Sequence, residues 1–149
     1  MTSKNMLKFG MACLALLLVG KASALCVSAP EANLRNGPGT KYEKNWTVYK
    51  YMPLKRLARK GSWYQVRDVD GDKHWIHKNL VKANMHCAVV KASKANVRRG
   101  PGTRYRQVSW SPVERYYSFK VIKTKARWVK VKDEVSDSGW VAKSLLWIQ

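Results

Sequence analysis

The feature that most constrains this chain is an internal repeat. Residues 32–42 (ANLRNGPGTKY) return as residues 95–105 (ANVRRGPGTRY), with eight of the eleven positions identical at an offset of 63. Further along the offset becomes 65, so the second copy contains two inserted residues, which a loop can absorb. A repeat of this kind predicts two similar folded units of about 60 residues each. The later matches are Trp63/Trp128, Val66/Val131, Asp68/Asp133, Trp75/Trp140 and Leu80/Leu145.

The first 24 residues have the pattern of a cleavable signal peptide. Lys4 and Lys8 form a basic start, residues 9–19 form an apolar run, and residues 22–24 (ASA) match a small-x-small cleavage site. The run is shorter than the roughly 20 apolar residues that a bilayer-spanning helix requires. A retained anchoring helix and lipidation of Cys26 are the alternatives, although Leu25 stands where a lipidation signal has a small residue.

From this pattern we expect a signal helix over residues 1–24, a first domain over 25–84 and a second over 85–149. The protein should be exported, to the periplasm or the exterior of the cell. No transmembrane span should remain after cleavage of the signal.

Two cysteines lie outside the signal segment, Cys26 at the start of the first repeat and Cys87 just after its end. The chain ends of a small closed barrel lie near each other, so this spacing suits a disulfide that staples the first repeat. Closing a loop of that length contributes roughly 4 kcal/mol in the chain-entropy model, and small exported domains commonly use such bonds. Two unpaired thiols, or a bridge between two molecules, are the alternatives.

The segments between turns are short and rich in Val, Tyr, Trp and Ile, which is typical of an all-β sandwich or barrel. Asp70 and Gly71 stand between two such segments and predict a hairpin. Residues 78–80 (KNL) and 143–145 (KSL) predict short 3₁₀ turns, each before a last strand. The Gly-Pro-Gly segments at 37–39 and 100–102 fix turns.

The period-two alternation of a strand divides the residues around each tryptophan between two faces. Val129 and Val131 point into the barrel, and Tyr64 and Val66 do the same in the first copy. In the alternative arrangement the indoles pack beneath the long loop of their own repeat. The outward face carries tryptophan beside basic side chains, and its candidate ligand-binding residues are Trp63, Arg67, Trp75, Trp128, Lys130, Lys132 and Trp140.

Both copies carry a motif that runs Asn-Val/Leu-Arg-x-Gly-Pro-x-x-x-Tyr, then Gly-x-Trp-x-x-Val, then Gly-Trp-Val before a short turn. In these residues the chain resembles the bacterial SH3-like (SH3b) family over nearly all of its length after residue 24. The first copy departs from the pattern with His74 in place of Gly, and the second with Ala126 and Arg127 before Trp128.

The resemblance implies an all-β fold of two tandem SH3-like β-barrels, with about five strands each, and a role in targeting peptidoglycan or other envelope polymers. Residues with an expected structural role in the repeated loop are Arg35, Gly37, Pro38, Tyr42, Arg98, Gly100, Pro101 and Tyr105.

No catalytic constellation repeats or clusters in the sequence. The Gly-Pro-Gly-Thr loops lack the Lys and the helix of a phosphate-binding loop. Residues 68–72 (DVDGD) have calcium-loop spacing, but Lys73 occupies the sixth position, which needs Gly, and Asn79 occupies the twelfth, which needs an acid. His74 and His77 are three apart on a strand and so face opposite sides. We expect no enzymatic activity, no cofactor and no metal.

The charge of the chain concerns its partners rather than its fold. The net charge is +20, and removal of Lys4, Lys8 and Lys21 with the signal leaves +17 on 125 residues. Basic side chains interleaved with Trp and Tyr suit an anionic polymer with stackable rings. Because we expect the protein to be exported, we expect its partner to be a cell-envelope polymer, bound through peptidoglycan carboxylates or lipopolysaccharide phosphates. An envelope protein, a nucleic acid, or a solvated basic surface with no dedicated partner are the alternatives.

Overall fold

The computed structural model describes residues 23–149, and their regular structure consists of short β-strands and two 3₁₀ turns. This confirms the all-β fold with two tandem SH3-like units. The expected signal helix lies outside the described residues except for Ser23 and Ala24, which begin the first strand. Within residues 23–149, no helix is long and apolar enough to cross a membrane.

Each repeat forms seven strands rather than about five; one strand of the first repeat and three of the second are only two or three residues long. The first repeat contains β1 (Ser23–Val27), β2 (Glu31–Arg35), β3 (Lys44–Tyr49), β4 (Pro53–Lys60), β5 (Trp63–Arg67), β6 (Lys73–His77), a 3₁₀ turn (Lys78–Leu80) and β7 (Val81–Lys82). The second contains β8 (Cys87–Val90), β9 (Lys94–Ala95), β10 (Val113–Glu114), β11 (Ser118–Lys125), β12 (Trp128–Lys132), β13 (Ser138–Ala142), a 3₁₀ turn (Lys143–Leu145) and β14 (Leu146–Ile148). Both 3₁₀ turns occur where the sequence predicts them.

The strands pair antiparallel and curl around one core in each repeat. In barrel 1 the order is β3-β2-β6-β5-β4-β1-β7; in barrel 2 it is β13-β12-β11-β8-β14, with β9 and β10 as a separate pair. The backbones of Arg98 and Trp140 exchange two hydrogen bonds of 2.8 Å, which connect the repeated loop of barrel 2 to its sheet. The inward residues expected from alternation are buried, including Val66, Val129 and Val131, while Tyr64 is half-buried at the edge of its core.

The acidic segment after β5 is a hairpin turn held by its first side chain. Oδ1 of Asp68 accepts hydrogen bonds from the backbone N–H groups of Asp70 (2.9 Å) and Asp72 (3.0 Å). Asp133 does the same in barrel 2 with the N–H groups of Val135 (3.1 Å) and Asp137 (2.8 Å). The carboxylates that matched calcium-loop spacing therefore organise turns, and within residues 23–149 no group of three His, Cys, Asp or Glu side chains is placed to hold a metal ion.

Strand β8 lies between the two cores, and all four of its residues are buried. Because side chains alternate along a strand, Ala88 and Val90 pack in the core of barrel 2, while Val89 packs in the core of barrel 1 with residues of β1 and β4. Trp147 of β14 also packs against the core of barrel 1. The two barrels thus share a buried boundary rather than a flexible linker.

A disulfide joins Cys26 and Cys87, with the Cα atoms 6.0 Å apart, as the sequence predicts. Its place differs from a staple within the first repeat, because Cys26 lies in the first strand of barrel 1 and Cys87 in the first strand of barrel 2. Both cysteines are fully buried, beside Tyr51 and the partly buried Met85. The bond therefore ties the two barrels to each other.

Candidate binding faces of the two barrels

The repeated Gly-Pro loop is anchored by an arginine in each barrel. Nη1 of Arg35 donates to the carbonyl oxygens of Thr40 (3.3 Å) and Tyr42 (2.9 Å). A Cβ at Gly37 would overlap the Tyr42 ring, so glycine is the residue that lets this ring lie on the loop. Half-buried Pro38 completes the turn. These contacts occupy the guanidinium within its own loop rather than leaving it free for a ligand.

Barrel 2 repeats the anchored loop. Nη1 of Arg98 donates to the carbonyl oxygens of Thr103 (3.1 Å) and Tyr105 (2.9 Å), and a Cβ at Gly100 would overlap the Tyr105 ring. Pro101 is half-buried like its counterpart. Each loop therefore has a fixed shape beside the outer face of its sheet.

The outer face of barrel 1, called here the tryptophan face, consists of three rows of cross-strand neighbours on β4, β5 and β6. Directly opposite residues in an antiparallel pair share a face and lie about 5 Å apart. Trp63 and Trp75 are half-buried on this face and Arg67 is exposed; the ring of Trp63 meets that of His77 edge-on, with centroids 5.3 Å apart. The rows are Lys55–Arg67–Lys73, Ala58–Gln65–Trp75 and Lys60–Trp63–His77.

The outer face of barrel 2, called the lysine face, repeats these rows with more charge. A β-bulge in β11 between Val121 and Lys123 carries Lys123 to the outer face, as bulges do when they re-aim a side chain. Lys120 stands directly opposite Lys132 before the bulge, and the bulge places Lys123 directly opposite Lys130. The rows are Lys120–Lys132–Ser138, Lys123–Lys130–Trp140 and Lys125–Trp128–Ala142.

The tryptophans of the lysine face differ in exposure. Trp128 is half-buried and borders an open pocket with Arg127 and Lys143. Trp140 was expected to be outward among cations, yet only 8% of it is exposed. The ammonium of Lys123 lies over its ring, 5.7 Å from the centroid. In barrel 1 the residue in the place of Lys123 is Ala58, which leaves Trp75 less covered. Trp140 is therefore packed beneath a lysine rather than presented to a ligand.

Sequence comparison identifies the fold family of both repeats. The family described as "Bacterial SH3 domain" matches residues 28–82 and again residues 91–147. The chain belongs to the bacterial SH3 domain family. Its two bacterial SH3 domains account for most of the residues from 23 to 149, in agreement with the observed barrels.

Among curated proteins, the chain is similar to the "Putative N-acetylmuramoyl-L-alanine amidase YrvJ" of Bacillus subtilis (strain 168), with 26% identity over 126 residues. The match covers 78% of this chain but 24% of the relative, so the chain spans about a quarter of that protein. Similar solved structures include an NlpC/P60 family protein from Bacillus cereus ATCC 10987 (11% identity; 85% of this chain and 56% of that chain; TM-score 0.39). Another is the endolysin LysPBC5 CBD (13% identity; 86% and 94%; TM-score 0.35).

A groove of about 440 Å³ runs between the two bacterial SH3 domains. Domain 1 lines it with Trp46 and Tyr49 among others, and domain 2 with Tyr116 and Tyr117. Tyr49 is 56% exposed, although tyrosine is a large and mostly apolar side chain. These aromatic residues could not be identified as a site from the sequence, because they come together only through the relative placement of the two domains.

Direct contacts fix the two sides of the groove. Nη2 of Arg115 and the hydroxyl of Tyr116 each donate to a different carboxylate oxygen of Asp70, both at 2.7 Å. The edge of Tyr116 meets Trp46 at a centroid distance of 5.1 Å. The hydrogen bond to Asp70, followed by burial, raises the pKa of Tyr116. The phenol is therefore held protonated, and so able to donate, to a higher pH than a free tyrosine.

The groove is lined by acidic side chains beside basic ones. The acids are Asp133, Glu134 and Glu114, and the bases are Lys50 and Arg115. Burial, and then the charge of Asp133, raises the pKa of Tyr117, to which Glu134 also contributes. The neutral form of this phenol is favoured because its own negative charge would add to that of the neighbouring carboxylates.

Proposed function

We propose that this protein is a non-catalytic binding module of the bacterial cell envelope, which holds an anionic polymer such as peptidoglycan or lipopolysaccharide against its two basic faces. The observation that carries the proposal is the opposition of like charges on the lysine face, Lys120 to Lys132 and Lys123 to Lys130. Like charges directly opposite each other destabilise a sheet. A binding role explains why such pairs stand side by side.

No acidic side chain within residues 23–149 forms an ion pair with the lysines of this face. In the described part of the chain the ion pairs are His74–Asp68 and Arg115–Asp70, and neither involves a residue of the lysine face. Anionic groups spaced along a polymer would relieve the repulsion between the lysines. The half-buried ring of Trp128 offers a flat apolar surface beside them, on which a sugar ring can pack.

Three further observations support an extracytoplasmic, accessory role. A buried disulfide is typical of oxidising compartments, and the first 24 residues have the pattern of an export signal. The curated relative is named as an amidase of N-acetylmuramoyl-L-alanine, and the chain matches about a quarter of it. Because Cys26 and Cys87 are bonded to each other, neither is available as a thiol nucleophile.

Co-sedimentation with purified cell-wall sacculi tests the proposal. The test variant is Lys120→Gln/Lys130→Gln, which removes one lysine from each opposed pair; position 130 then carries glutamine, as Gln65 does at the matching place in barrel 1. The matched control is Lys82→Gln/Lys91→Gln, which removes the same charge from exposed positions outside both faces.

We expect the wild-type protein and the control to sediment with sacculi at physiological salt, and the face variant to remain largely in solution. Binding should weaken as salt screens the charges. The face variant should also be as stable as the wild type or slightly more so, because like-charge repulsion is removed. Equal sedimentation of the two variants, or none for the wild type, would refute the proposal. A stoichiometric protein captured instead would favour an adaptor role.

A further inference from the structure

The two barrels differ in what stands beside the first tryptophan of each outer face. In barrel 1 the residue directly opposite Trp63 is His77, and the two rings meet edge-on with their centroids 5.3 Å apart. In barrel 2 the residue directly opposite Trp128 is Ala142, whose side chain is a single methyl group. Trp128 and Ala142 border an open pocket of about 790 Å³. An indole that contacts an imidazole in barrel 1 therefore borders a pocket in barrel 2.

The alanine in this place also lacks a hydrogen bond that histidine makes. In barrel 1, Nδ1 of His77 accepts from the backbone N–H of Asn79 at 3.1 Å and so caps the 3₁₀ turn that follows. Ala142 precedes the 3₁₀ turn of barrel 2 in the same way, and that turn has no side-chain cap. Capping of the turn thus favours histidine at this position, whereas access to the indole requires a small residue.

The lining of the pocket is basic. Arg127 and Lys143 border it, and both are exposed. The backbone N–H of Lys143 donates to the carbonyl of Arg127 at 2.8 Å, so the two residues are held next to each other beside the indole. Lys125 stands directly opposite Trp128 on β11 and adds a third positive charge. Within residues 23–149, no acidic side chain lines this pocket or forms an ion pair with Arg127 or Lys143.

These charges favour a phosphate over a carboxylate. A phosphate monoester carries a charge of about −1.5 to −2 at pH 7, whereas a carboxylate carries a single negative charge. A guanidinium can bind phosphate oxygens through two parallel hydrogen bonds, and an ammonium binds them as a point charge. A pocket with Arg127, Lys143 and Lys125 around it therefore complements a doubly charged anion better than a singly charged one.

We propose that the pocket beside Trp128 binds a phosphorylated sugar, with the sugar ring packed on the indole and the phosphate held between Arg127 and Lys143. The indole offers a rigid apolar face of suitable size. A strand of nucleic acid is instead held by several aromatic rings on which successive bases stack, and Trp128 is the aromatic ring that lines this pocket. This inference rests on the proposed function, because it names the unit of the anionic polymer that barrel 2 recognises.

The test compares small probes of different charge, with the indole N–H of Trp128 as the NMR reporter and calorimetry for the affinities. Glucose 1-phosphate should shift the Trp128 resonance. It should bind roughly tenfold or more tightly than methyl glucoside or glucuronic acid, because hydrogen bonds between the phosphate and charged donors are lost in both. Equal affinity for glucuronic acid, no shift of Trp128 at millimolar probe, or tighter binding of adenosine 5′-monophosphate would overturn the proposal.

A fourth probe, the methyl diester of glucose 1-phosphate, distinguishes the sources of a phosphorylated sugar. Tighter binding of the monoester supports a sugar that carries a terminal phosphate. Tighter binding of the diester supports a polymer in which phosphate links one unit to the next.

Variants that introduce the residues of barrel 1 make the result specific. Ala142→His introduces the counterpart of His77, and Arg127→Ser the counterpart of Ser62. Each should weaken binding of glucose 1-phosphate by roughly tenfold. Ala142→His should not lower the midpoint of thermal unfolding, since an imidazole can cap the 3₁₀ turn. Arg106→Ser, at an exposed position outside the pocket, is the matched control and should bind as the wild type does. Unchanged affinity in Arg127→Ser would contradict the assignment.

Failure of this inference can be told from failure of the proposed function. Sedimentation with sacculi is measured separately and depends on the lysine face. A protein that sediments with sacculi but does not bind glucose 1-phosphate overturns the pocket assignment alone. A protein that binds glucose 1-phosphate through Arg127 but does not sediment supports the pocket assignment and refutes the binding of sacculi.

Discussion

Removal of the disulfide should weaken both barrels, not only the one whose sequence it encloses. Cys26 and Cys87 are 61 positions apart, and the chain-entropy model gives roughly 4 kcal/mol for closing a loop of that length in the unfolded chain. The variant Cys26→Ala/Cys87→Ala also deletes two buried sulfur atoms, each worth about 1 kcal/mol of packing. The expected loss in the free energy of unfolding is therefore about 5 to 6 kcal/mol.

The loss should spread because of where Cys87 lies. Its backbone N–H donates to the carbonyl of Gln149 at 3.2 Å and its carbonyl accepts from the N–H of Gln149 at 3.0 Å, so it helps to hold the edge strand β14 against β8. Two positions later, Val89 fills the core of barrel 1. Loosening the start of β8 therefore disturbs hydrogen bonds in one barrel and packing in the other.

Guanidinium denaturation followed by tryptophan fluorescence measures the total loss, and amide hydrogen exchange locates it. Protection should fall in β5 of barrel 1 and in β12 of barrel 2 alike. Met85→Ala is the control, because it trims a partly buried side chain in the same cluster without opening a loop, and should cost much less. A loss below about 1 kcal/mol, or protection that falls in barrel 1 alone, would refute the reasoning.

Three other predictions concern single residues. Ala126 has a φ of 53°, a left-handed conformation that costs a non-glycine residue about 1 kcal/mol, so Ala126→Gly should raise the midpoint of thermal unfolding; a lower midpoint would contradict this. Gly37→Ala forces a methyl group into the Tyr42 ring and should cost about 1 to 3 kcal/mol in urea denaturation, and an unchanged midpoint would count against the loop geometry. The hydrogen bond of Tyr116 to Asp70 raises the tyrosine's pKa, so its stabilising effect is complete below the unfolded pKa of about 10 and is lost as the pH rises through the higher folded value. In a phenolate absorbance titration, Tyr116→Phe should remove one of the latest-titrating groups; an unaltered late phase would disprove the assignment.

Local pattern was sufficient to predict the repeated parts of the fold. The turn residues, the period-two alternation and the two-residue insertion together predict the strands and the 3₁₀ turns. The alternation also predicts which residues next to each tryptophan face the core and which face outward. The cysteine spacing predicted the bond between Cys26 and Cys87. Each of these features depends on residues close in sequence, or on the ends of one barrel.

The position of β8 between the two cores could not be predicted from local pattern. Residues 87–90 (CAVV) are all apolar, so alternation offers no contrast between the two sides of the strand. The difference in exposure between Trp75 and Trp140 could not be predicted either, because it depends on a neighbouring strand. Lys123 covers Trp140, whereas alanine stands at the corresponding place in barrel 1. The groove depends on Asp70 meeting residues more than forty positions away, which no local pattern encodes.

The shared strand β8 has a consequence for how the two copies can be inherited and handled. Duplicated domains begin as independent units, but here a fragment that stops at residue 84 lacks Val89 and leaves a hole in its core. A fragment that starts at residue 85 exposes Val89 to water and leaves Cys87 without its disulfide partner. Recombination or cloning that separates the two copies therefore destabilises both. The pair is inherited as one unit, because the boundary between the two cores lies within strand β8.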